Sequence, residues 1–287
     1  QLTISDAARS EYHSSTISYG DGGYITVWQE GAHAIRAMIN NSAGSIGPIE
    51  IASHGGSVDR VGMPTVTELE NGKFAVIWQT LTMDYSDEAG IYNGEMYQLI
   101  GRIFNADGSP SGPEFDVSDS TGLVWPATTT LSNGNFVTVW LQYDDTEEEY
   151  SYPYTDTAVY FKIFNAAGET VVEETMIFDA ADHSFVGYLF PPQIEALPDG
   201  GFAISWNDTE SLDRAETHSV YTAIYDNQGQ EVVEPYRVSE GEREIVSWLS
   251  DMSVDEDGNV LIVWEGTADS YMRPDLEDIT YGTILDP

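Results

Sequence analysis

The chain has 287 residues, and its 49 acidic side chains against 10 basic ones give a formal net charge of -39. A field of that sign repels phosphate backbones and anionic lipid, which excludes nucleic acid and membrane insertion from the expected partners. The absence of cysteine also excludes disulfides, thiolate catalysis and cysteine-ligated zinc.

One short pattern recurs along the chain: a turn glycine, alternating apolar residues, and a tryptophan. The five copies are GGYITVW (22–28), GKFAVIW (72–78), GNFVTVW (134–140), GGFAISW (200–206) and GNVLIVW (258–264). Their unequal spacing does not suit a solenoid with a fixed rise, but it suits propeller blades with loops of different length. Because a large aromatic ring contributes most when buried, we interpret the tryptophans as structural packing between blades.

Each copy is flanked by the parts of a four-stranded antiparallel blade. An extended segment such as 63–69 precedes the turn glycine as strand A, and the pattern itself is strand B. A third strand ending in a glycine turn, such as 101–108, and a short fourth strand, such as 115–118, follow as strands C and D.

The two ends of the chain complement each other. Leu2-Thr3-Ile4-Ser5 has the pattern of a strand D but follows no other strand, whereas the fifth repeat ends at strand C, 279–285. We therefore predict an all-β fold, a five-bladed β-propeller whose ring is closed by the N-terminal strand completing blade five. The predicted single domain covers 1–287, with blades at 12–54, 63–118, 125–180, 191–239 and 248–287 plus 1–5.

The loops from strand B to strand C are acidic, and we expect them to share one face with the loops from D to A. Hard oxygen ligands on flexible segments are what Ca²⁺ requires. The chain therefore has a candidate Ca²⁺ site on this face, although the same acids also serve as solvated loop residues. The candidate metal ligands are Asp84, Asp87, Glu88, Asp144, Asp145 and Glu147. Asp255 to Asn259 also resembles an acidic calcium loop, but we interpret it as a hairpin turn.

Aromatic side chains lie among these acids and just before the A strands. Flat rings beside carboxylates suit a glycan or peptide ligand, because the rings stack while the acids accept hydroxyl or amine donors. Packing of the loops on themselves is the alternative for each ring. The candidate ligand-binding residues are Tyr150, Tyr152, Tyr154, Trp125, Tyr188, Trp248 and Tyr271.

The D/N-G-x-F-x-V-x-W strand followed by R/K-I-F-N-A-x-G resembles the repeat region of large, acidic, cysteine-free exported bacterial proteins. These are RTX-like adhesins or exoproteins sent out by type I secretion. The resemblance implies a secreted, extracellular or cell-surface location, calcium-rich surroundings, and a monomer or one domain of a larger exoprotein. The G-G-x-G-x-D nonapeptide array of that class is absent from this sequence.

Two functions remain open from the sequence. The first is a non-enzymatic extracellular binding or adhesion module that recognises a glycan or peptide through the acidic, tyrosine-rich loops. The alternative is a polysaccharide-active enzyme, because five-bladed propellers also form glycosidases with carboxylates around the central channel, which requires acids at the starts of the A strands. The starts of the A strands carry few acids, with Glu68, Glu195 and Asp251 lying further in, so we expect binding rather than catalysis.

Overall fold

The computed structural model is built almost entirely of β-strands, with one short 3-10 turn at Glu70–Gly72. The residues it describes are 11–20, 22–42, 44–53, 60–85, 92–118, 124–144, 156–179, 191–212, 215–239, 245–268 and 279–286. In this part of the chain, no helix has the length and apolar character needed to cross a membrane.

The strands form five sheets, in each of which neighbouring strands follow one another along the chain. Sheet one contains β1 (Glu11–Tyr19), β2 (Gly23–Glu30), β3 (Ala34–Asn41) and β4 (Gly44–Ser53). Sheet two contains β5 (Arg60–Glu68), β6 (Phe74–Tyr85), β7 (Tyr92–Phe104) and β8 (Pro110–Ser118). Sheet three contains β9 (Val124–Thr130), β10 (Phe136–Asp144), β11 (Asp156–Phe164) and β12 (Thr170–Asp179). Sheet four contains β13 (Gln193–Ala196), β14 (Phe202–Leu212), β15 (Ala215–Tyr225) and β16 (Glu231–Arg237). Sheet five contains β17 (Ile245–Val254), β18 (Val260–Ala268) and β19 (Ile279–Leu285).

The all-β class, the antiparallel strands and the number of sheets are confirmed. Four sheets have the predicted four strands, and the fifth has three among the described residues. Residues 2–5 lie outside the described residues, so closure of the ring by this segment stays a prediction.

The chain forms two compact units. Unit one comprises residues 1–130, 134–138 and 162–173, and unit two comprises 131–133, 139–161 and 174–287. Sheets one and two therefore belong to unit one, sheets four and five belong to unit two, and the residues of sheet three are divided between them. The organisation of 1–287 as one domain stays a prediction.

In unit one, the second strand of sheet two is buried on both of its faces. Phe74, Ala75, Val76 and Ile77 are all fully buried, although side chains alternate between the two faces of a strand. The apolar core on one face contains Ile25, Val27 and Ile35 of sheet one together with Val76 and Trp78. A strand enclosed on both faces has no need of polar alternation, which explains its continuous apolar run.

In unit two, sheet four packs on sheet five through a mixed core. Ala203, Val220 and Ile224 of sheet four lie in one cluster with Met252 and Ile262 of sheet five. The first strands of the two sheets, β13 and β17, are in contact as well.

The repeated tryptophan is a packing residue, as predicted. Every copy at the end of strand B is buried, and several stack on a tyrosine of the neighbouring strand. The ring centroids are 5.9 Å apart for Trp140 and Tyr160, 5.9 Å for Trp206 and Tyr221, and 6.0 Å for Trp264 and Tyr281. The buried tryptophans are Trp28, Trp78, Trp140, Trp206 and Trp264.

The glycine turns between strands share one hydrogen-bond pattern. The amide of Leu69 donates to the carbonyl of Lys73 at 2.7 Å, and that of Leu197 donates to Gly201 at 2.8 Å. Asp255 begins the corresponding turn of sheet five, where its amide donates to the carbonyl of Asn259 at 3.0 Å. This backbone pattern fixes the position of the residues that end strand A in sheets two, four and five.

Asp255 is a turn residue of the hairpin that joins β17 to β18. Its Oδ1 accepts from the amides of Asp257 at 3.0 Å and Asn259 at 2.9 Å, and its Oδ2 accepts from Asn259 Nδ2 at 2.8 Å. These donors lower the pKa of the Asp255 carboxyl, with the Asn259 side chain the largest cause. The hairpin interpretation of this segment is confirmed.

Candidate functional site

Two carboxylates on neighbouring A strands of unit two form the candidate site. Glu195 lies in β13 and Asp251 lies in β17. Both belong to first strands of their sheets, and those strands pack against each other. The short strand β13 lies opposite β14, with Glu195 paired to Ala203.

Hydrogen-bond register shows which face of sheet four carries Glu195. Gln193 pairs with Ser205, whose hydroxyl lies 3.2 Å from the sulfur of Met252 in β17. Paired residues of an antiparallel sheet share a face, and so do residues two apart in one strand. Glu195 therefore lies on the face of sheet four that is turned toward β17.

Glu195 has the electrostatic surroundings of a proton donor. Its side chain is half-buried, and burial in low dielectric disfavours the charged carboxylate. Burial therefore raises the pKa of Glu195 above its ordinary value of 4.5, and the negative charge of Asp251 raises it further. A carboxyl group with a raised pKa keeps its proton in conditions where ordinary glutamates have lost theirs.

Asp251 is the exposed member of the pair. It follows a register shift in β17, where the pairing skips from Leu249 to Asp251. Its Oδ1 accepts from the backbone amide of Met252 at 2.9 Å, which fixes one of its two oxygens. Bulges of this kind redirect side chains next to active sites.

Glu68, the remaining A-strand acid singled out in the sequence, has a different environment. It lies in unit one, where its Oε1 accepts from the amide of Gly20 at 3.1 Å. Its charge also raises the pKa of Tyr19, after the larger effect of burial of that phenol. Glu68 thus ties strand β5 to the first turn of sheet one.

The predicted calcium ligands fall mostly outside the described residues. Asp84 and Asp144 belong to the ends of β6 and β10, whereas Asp87, Glu88, Asp145 and Glu147 lie beyond them. Within the described ranges, no group of three or more histidine, aspartate or glutamate side chains is placed to hold a metal ion. The Ca²⁺ site stays a prediction.

The predicted ligand-binding aromatics are also largely outside the described part of the chain. Trp125 lies in β9, where it is half-buried, and Trp248 is a residue of β17. The other predicted residues, which lie outside the described ranges, are Tyr150, Tyr152, Tyr154, Tyr188 and Tyr271.

Sequence reasoning found Glu195 and Asp251 but not their pairing. The two residues are far apart in the chain, and only the packing of β13 on β17 brings them together. The sequence did indicate that both acids lie in strand A of their own repeat, because Glu195 precedes the turn glycine Gly200 and Asp251 precedes Gly258.

Comparison with solved structures found proteins of similar fold. No protein-family model matches the chain, and no curated protein matches its sequence. The α-L-arabinofuranosidase Arb93A of Fusarium graminearum, solved with an iminosugar inhibitor, has a similar structure, with a TM-score of 0.52 and a sequence identity of 12%. The match covers 94% of this chain and 80% of the arabinofuranosidase. The α-L-arabinanase of Penicillium chrysogenum, solved with arabinobiose, has a TM-score of 0.53 and 10% identity over 90% and 77%.

A peptidase shares the same fold. The puromycin-hydrolysing peptidase of Mycobacterium tuberculosis has a TM-score of 0.52 and 10% identity over 91% of this chain and 37% of its own. At such identities the likeness establishes the fold, of the β-propeller type, and the chemistry must be argued from side chains.

These findings correct the function predicted from the sequence. The non-enzymatic binding or adhesion module is wrong, since structures with this fold include two enzymes of arabinose-containing glycans and favour the polysaccharide-active alternative. The prediction failed because it judged the A strands short of paired carboxylates, whereas Glu195 and Asp251 are neighbours across two sheets.

Proposed function

We propose that the chain is a polysaccharide-active enzyme that hydrolyses glycosidic bonds. The observation that carries the proposal is the carboxyl pair of Glu195 and Asp251, in which the half-buried member has a raised pKa and the exposed member supplies a negative charge. Two carboxyl groups with different environments are the usual equipment of glycoside hydrolysis.

Each member of the pair has a distinct part in the proposed reaction. Glu195, whose raised pKa favours the protonated form, donates its proton to the oxygen of the leaving sugar as the bond to the anomeric carbon breaks. Asp251, as a carboxylate, either activates a water that attacks the anomeric carbon, or attacks that carbon itself to form a glycosyl ester. In the second case a water activated by Glu195, now deprotonated, hydrolyses the ester and restores both carboxyl groups. The amide of Met252 holds one oxygen of Asp251 in place for that role.

The substrate class follows from the charge of the protein and from the comparisons. A net charge of -39 repels anionic polymers, which favours a neutral polysaccharide. Arabinan is the first polymer to test, because two proteins with this fold are an arabinofuranosidase and an arabinanase.

The direct test is release of reducing sugar from arabinan, xylan and mannan by the wild type and by Glu195→Gln. Loss of a general acid lowers such rates by about 10² to 10⁴, so we expect Glu195→Gln to lose activity in that range. Glu68→Gln is the matched control, because Glu68 is an A-strand acid engaged by the amide of Gly20, and it should keep most of the activity. Equal rates for wild type and Glu195→Gln would contradict the assignment.

We also propose that the enzyme acts outside the cell. The support is the strongly acidic composition without cysteine, which is shared with the exported bacterial repeat proteins that the sequence resembles. Immunodetection in culture medium against cell lysate of the source organism tests this location. Detection confined to the lysate would contradict it.

A further inference from the structure

One core position of the repeat is polar in sheet four. The residue directly before the repeated tryptophan is Ser205 in this sheet, and its side chain is fully buried. A buried hydroxyl costs free energy unless it is hydrogen-bonded, so a serine contributes less to folding here than an apolar residue does. The other four copies all have an apolar residue at this position, and these residues are Val27, Ile77, Val139 and Val263.

The residue paired with Ser205 departs from the repeat in the same way. Ser205 lies opposite Thr222 of β15, which is also fully buried. The equivalent residues are alanine or glycine, namely Ala37 in sheet one, Gly101 in sheet two and Gly282 in sheet five. Sheet four, which carries Glu195, thus has a buried hydroxyl pair where these three sheets have none.

The hydroxyl pair reaches the neighbouring sheet through a methionine. Thr222 donates its hydrogen to the carbonyl of Ile204 at 2.9 Å, so its oxygen accepts from Ser205 Oγ at 3.1 Å. Ser205 Oγ also lies 3.2 Å from Met252 Sδ in β17. Because a serine hydroxyl has one hydrogen, Ser205 donates it to either of these two acceptors.

The contact between Ser205 and Met252 lies between the strands that carry the two acids. Ser205 pairs with Gln193, two residues before Glu195. Met252 directly follows Asp251, and its amide donates to Asp251 Oδ1 at 2.9 Å. A shift of Met252 relative to Ser205 would therefore change the separation of the two carboxyl groups.

The equivalent contact in unit one is apolar. Val27 of sheet one and Val66 of sheet two lie in the same core. Val66 is equivalent to Met252, because each lies three residues before the residue whose amide opens the turn. Apolar contacts are non-directional, whereas a hydrogen bond has a preferred distance and angle. The polar contact thus specifies the position of β17 on sheet four more narrowly.

We propose that Ser205 is a positioning residue whose hydroxyl, together with Thr222 and Met252, sets the separation of Glu195 and Asp251. Its consequence for catalysis rests on the proposed function, whereas the contact between the two sheets does not. Because Ser205 is fully buried, it acts through the two acids and does not touch the substrate. Misplacement of a reacting group by about 1 Å lowers rates by about 10²-fold, so a contact of this kind has a large effect on turnover.

The double variant Ser205→Ala/Thr222→Val tests the role, because it removes both hydroxyls and nearly keeps their shapes. Replacing both partners of a buried hydrogen bond by apolar groups of the same shape is nearly neutral or stabilising. Its unfolding temperature should therefore equal or exceed that of the wild type. On the polymer that the wild type hydrolyses, kcat should nevertheless fall at least about fivefold, with KM within about twofold.

Thr26→Val is the matched control for loss of a buried hydroxyl. Thr26 is 5% exposed, and its hydroxyl lies 3.0 Å from Thr16 Oγ1 within sheet one. This pair has no contact with β13 or β17 to transmit, so kcat should stay at the wild-type value.

The pKa of Glu195 gives a second readout that needs no hydrolysis. It is followed by the carbon NMR resonance of the side-chain carboxyl, which Glu195→Gln identifies. The charge of Asp251 contributes to the raised pKa of Glu195, and like charges repel, so a loosened contact lets the two groups move apart. The double variant should therefore lower the pKa of Glu195, as should Met252→Leu, which removes the sulfur, whereas Thr26→Val should leave it unchanged.

The outcomes separate the positioning role from the proposed function. Hydrolysis by the wild type, with kcat and the pKa of Glu195 unchanged in the double variant, would remove the positioning role and leave the enzyme proposal standing. A lowered pKa of Glu195 in the double variant, without hydrolysis of any polymer by the wild type, would do the reverse. A lower unfolding temperature with an unchanged pKa of Glu195 would make Ser205 a structural residue and overturn the inference.

Discussion

Glu195 combines a chemical advantage with a cost in stability. The burial that favours its protonated carboxyl also makes its ionised form unfavourable inside the folded chain. Since the pKa in the folded state lies above that in the unfolded state, the contribution of Glu195 to stability is present below the ordinary pKa of 4.5 and is lost as the pH rises through the raised value.

Substitution of Glu195 should therefore stabilise the protein at neutral pH. Because Glu195→Gln cannot ionise, we expect its unfolding temperature to match that of the wild type near about pH 4 and to exceed it near about pH 8. Thermal unfolding followed by circular dichroism at both pH values measures the difference.

Asp251→Asn provides the control for the cause of this effect. It removes the negative charge that is the second contribution to the raised pKa of Glu195. The gain in stability from Glu195→Gln at high pH should then be smaller in the Asp251→Asn background. Parallel stability profiles of wild type and Glu195→Gln across the whole pH range would contradict the buried, raised carboxyl.

Glycine is required at the turn between β11 and β12 for reasons of packing as well as conformation. Gly168 has a φ of 82°, and a Cβ atom there would lie 2.6 Å from the ring of Phe115. That ring cannot move freely, because its centroid lies 5.2 Å from that of Phe164 and 6.3 Å from that of Phe136.

Gly168→Ala should accordingly destabilise the protein. The left-handed conformation alone costs about 1–2 kcal/mol for a residue with a Cβ atom, and the contact with Phe115 adds to it. Gly112→Ala is the control, since a Cβ there meets nothing within 4 Å, and it should change the free energy of unfolding by less than about 0.5 kcal/mol. Urea unfolding of both variants measures the two effects, and equal stabilities would contradict the packing argument.

The repeated hairpin was predictable from the sequence, and the strand starts were not. Asn-Gly or Asp-Gly between alternating apolar residues predicts a hairpin because only a few residues adopt the turn conformation. Neither His13 nor Met63 carries such a signal, although their φ angles are 41° and 50°. The pairing of Glu195 with Asp251 was hidden as well, since it depends on contact between two sheets.

At the scale of the whole molecule, the acidic excess cannot be neutralised internally. Ten basic side chains face 49 acidic ones, and some of the bases already form ion pairs. Arg36 pairs with Glu30 at 3.1 Å and with Glu50 at 2.9 Å, and Arg102 pairs with Glu114 at 3.7 Å. The remaining acids repel one another, so that cations in solution should stabilise the folded chain.

Salt and calcium should therefore raise the unfolding temperature, by different amounts. Sodium chloride screens the repulsion and should raise the midpoint gradually. If the acidic loops bind Ca²⁺, CaCl₂ at fixed ionic strength should raise the midpoint further, and excess EGTA should reverse that increment. Identical midpoints in CaCl₂ and EGTA would show that the calcium prediction is wrong and that the effect is screening alone.

The position of Glu195 in its strand has a consequence for how chains of this kind diversify. Glu195 lies two residues before Leu197, whose amide opens the turn. The equivalent residues are Thr67 in sheet two and Ser253 in sheet five. The hydroxyl of Thr67 forms a hydrogen bond with Thr130 Oγ1 at 2.8 Å. One substitution in one copy of the repeat thus exchanges a structural hydroxyl for an acid. The tryptophans and turns that maintain the fold lie elsewhere in the repeat, so new activities can evolve in one copy while the others preserve the architecture.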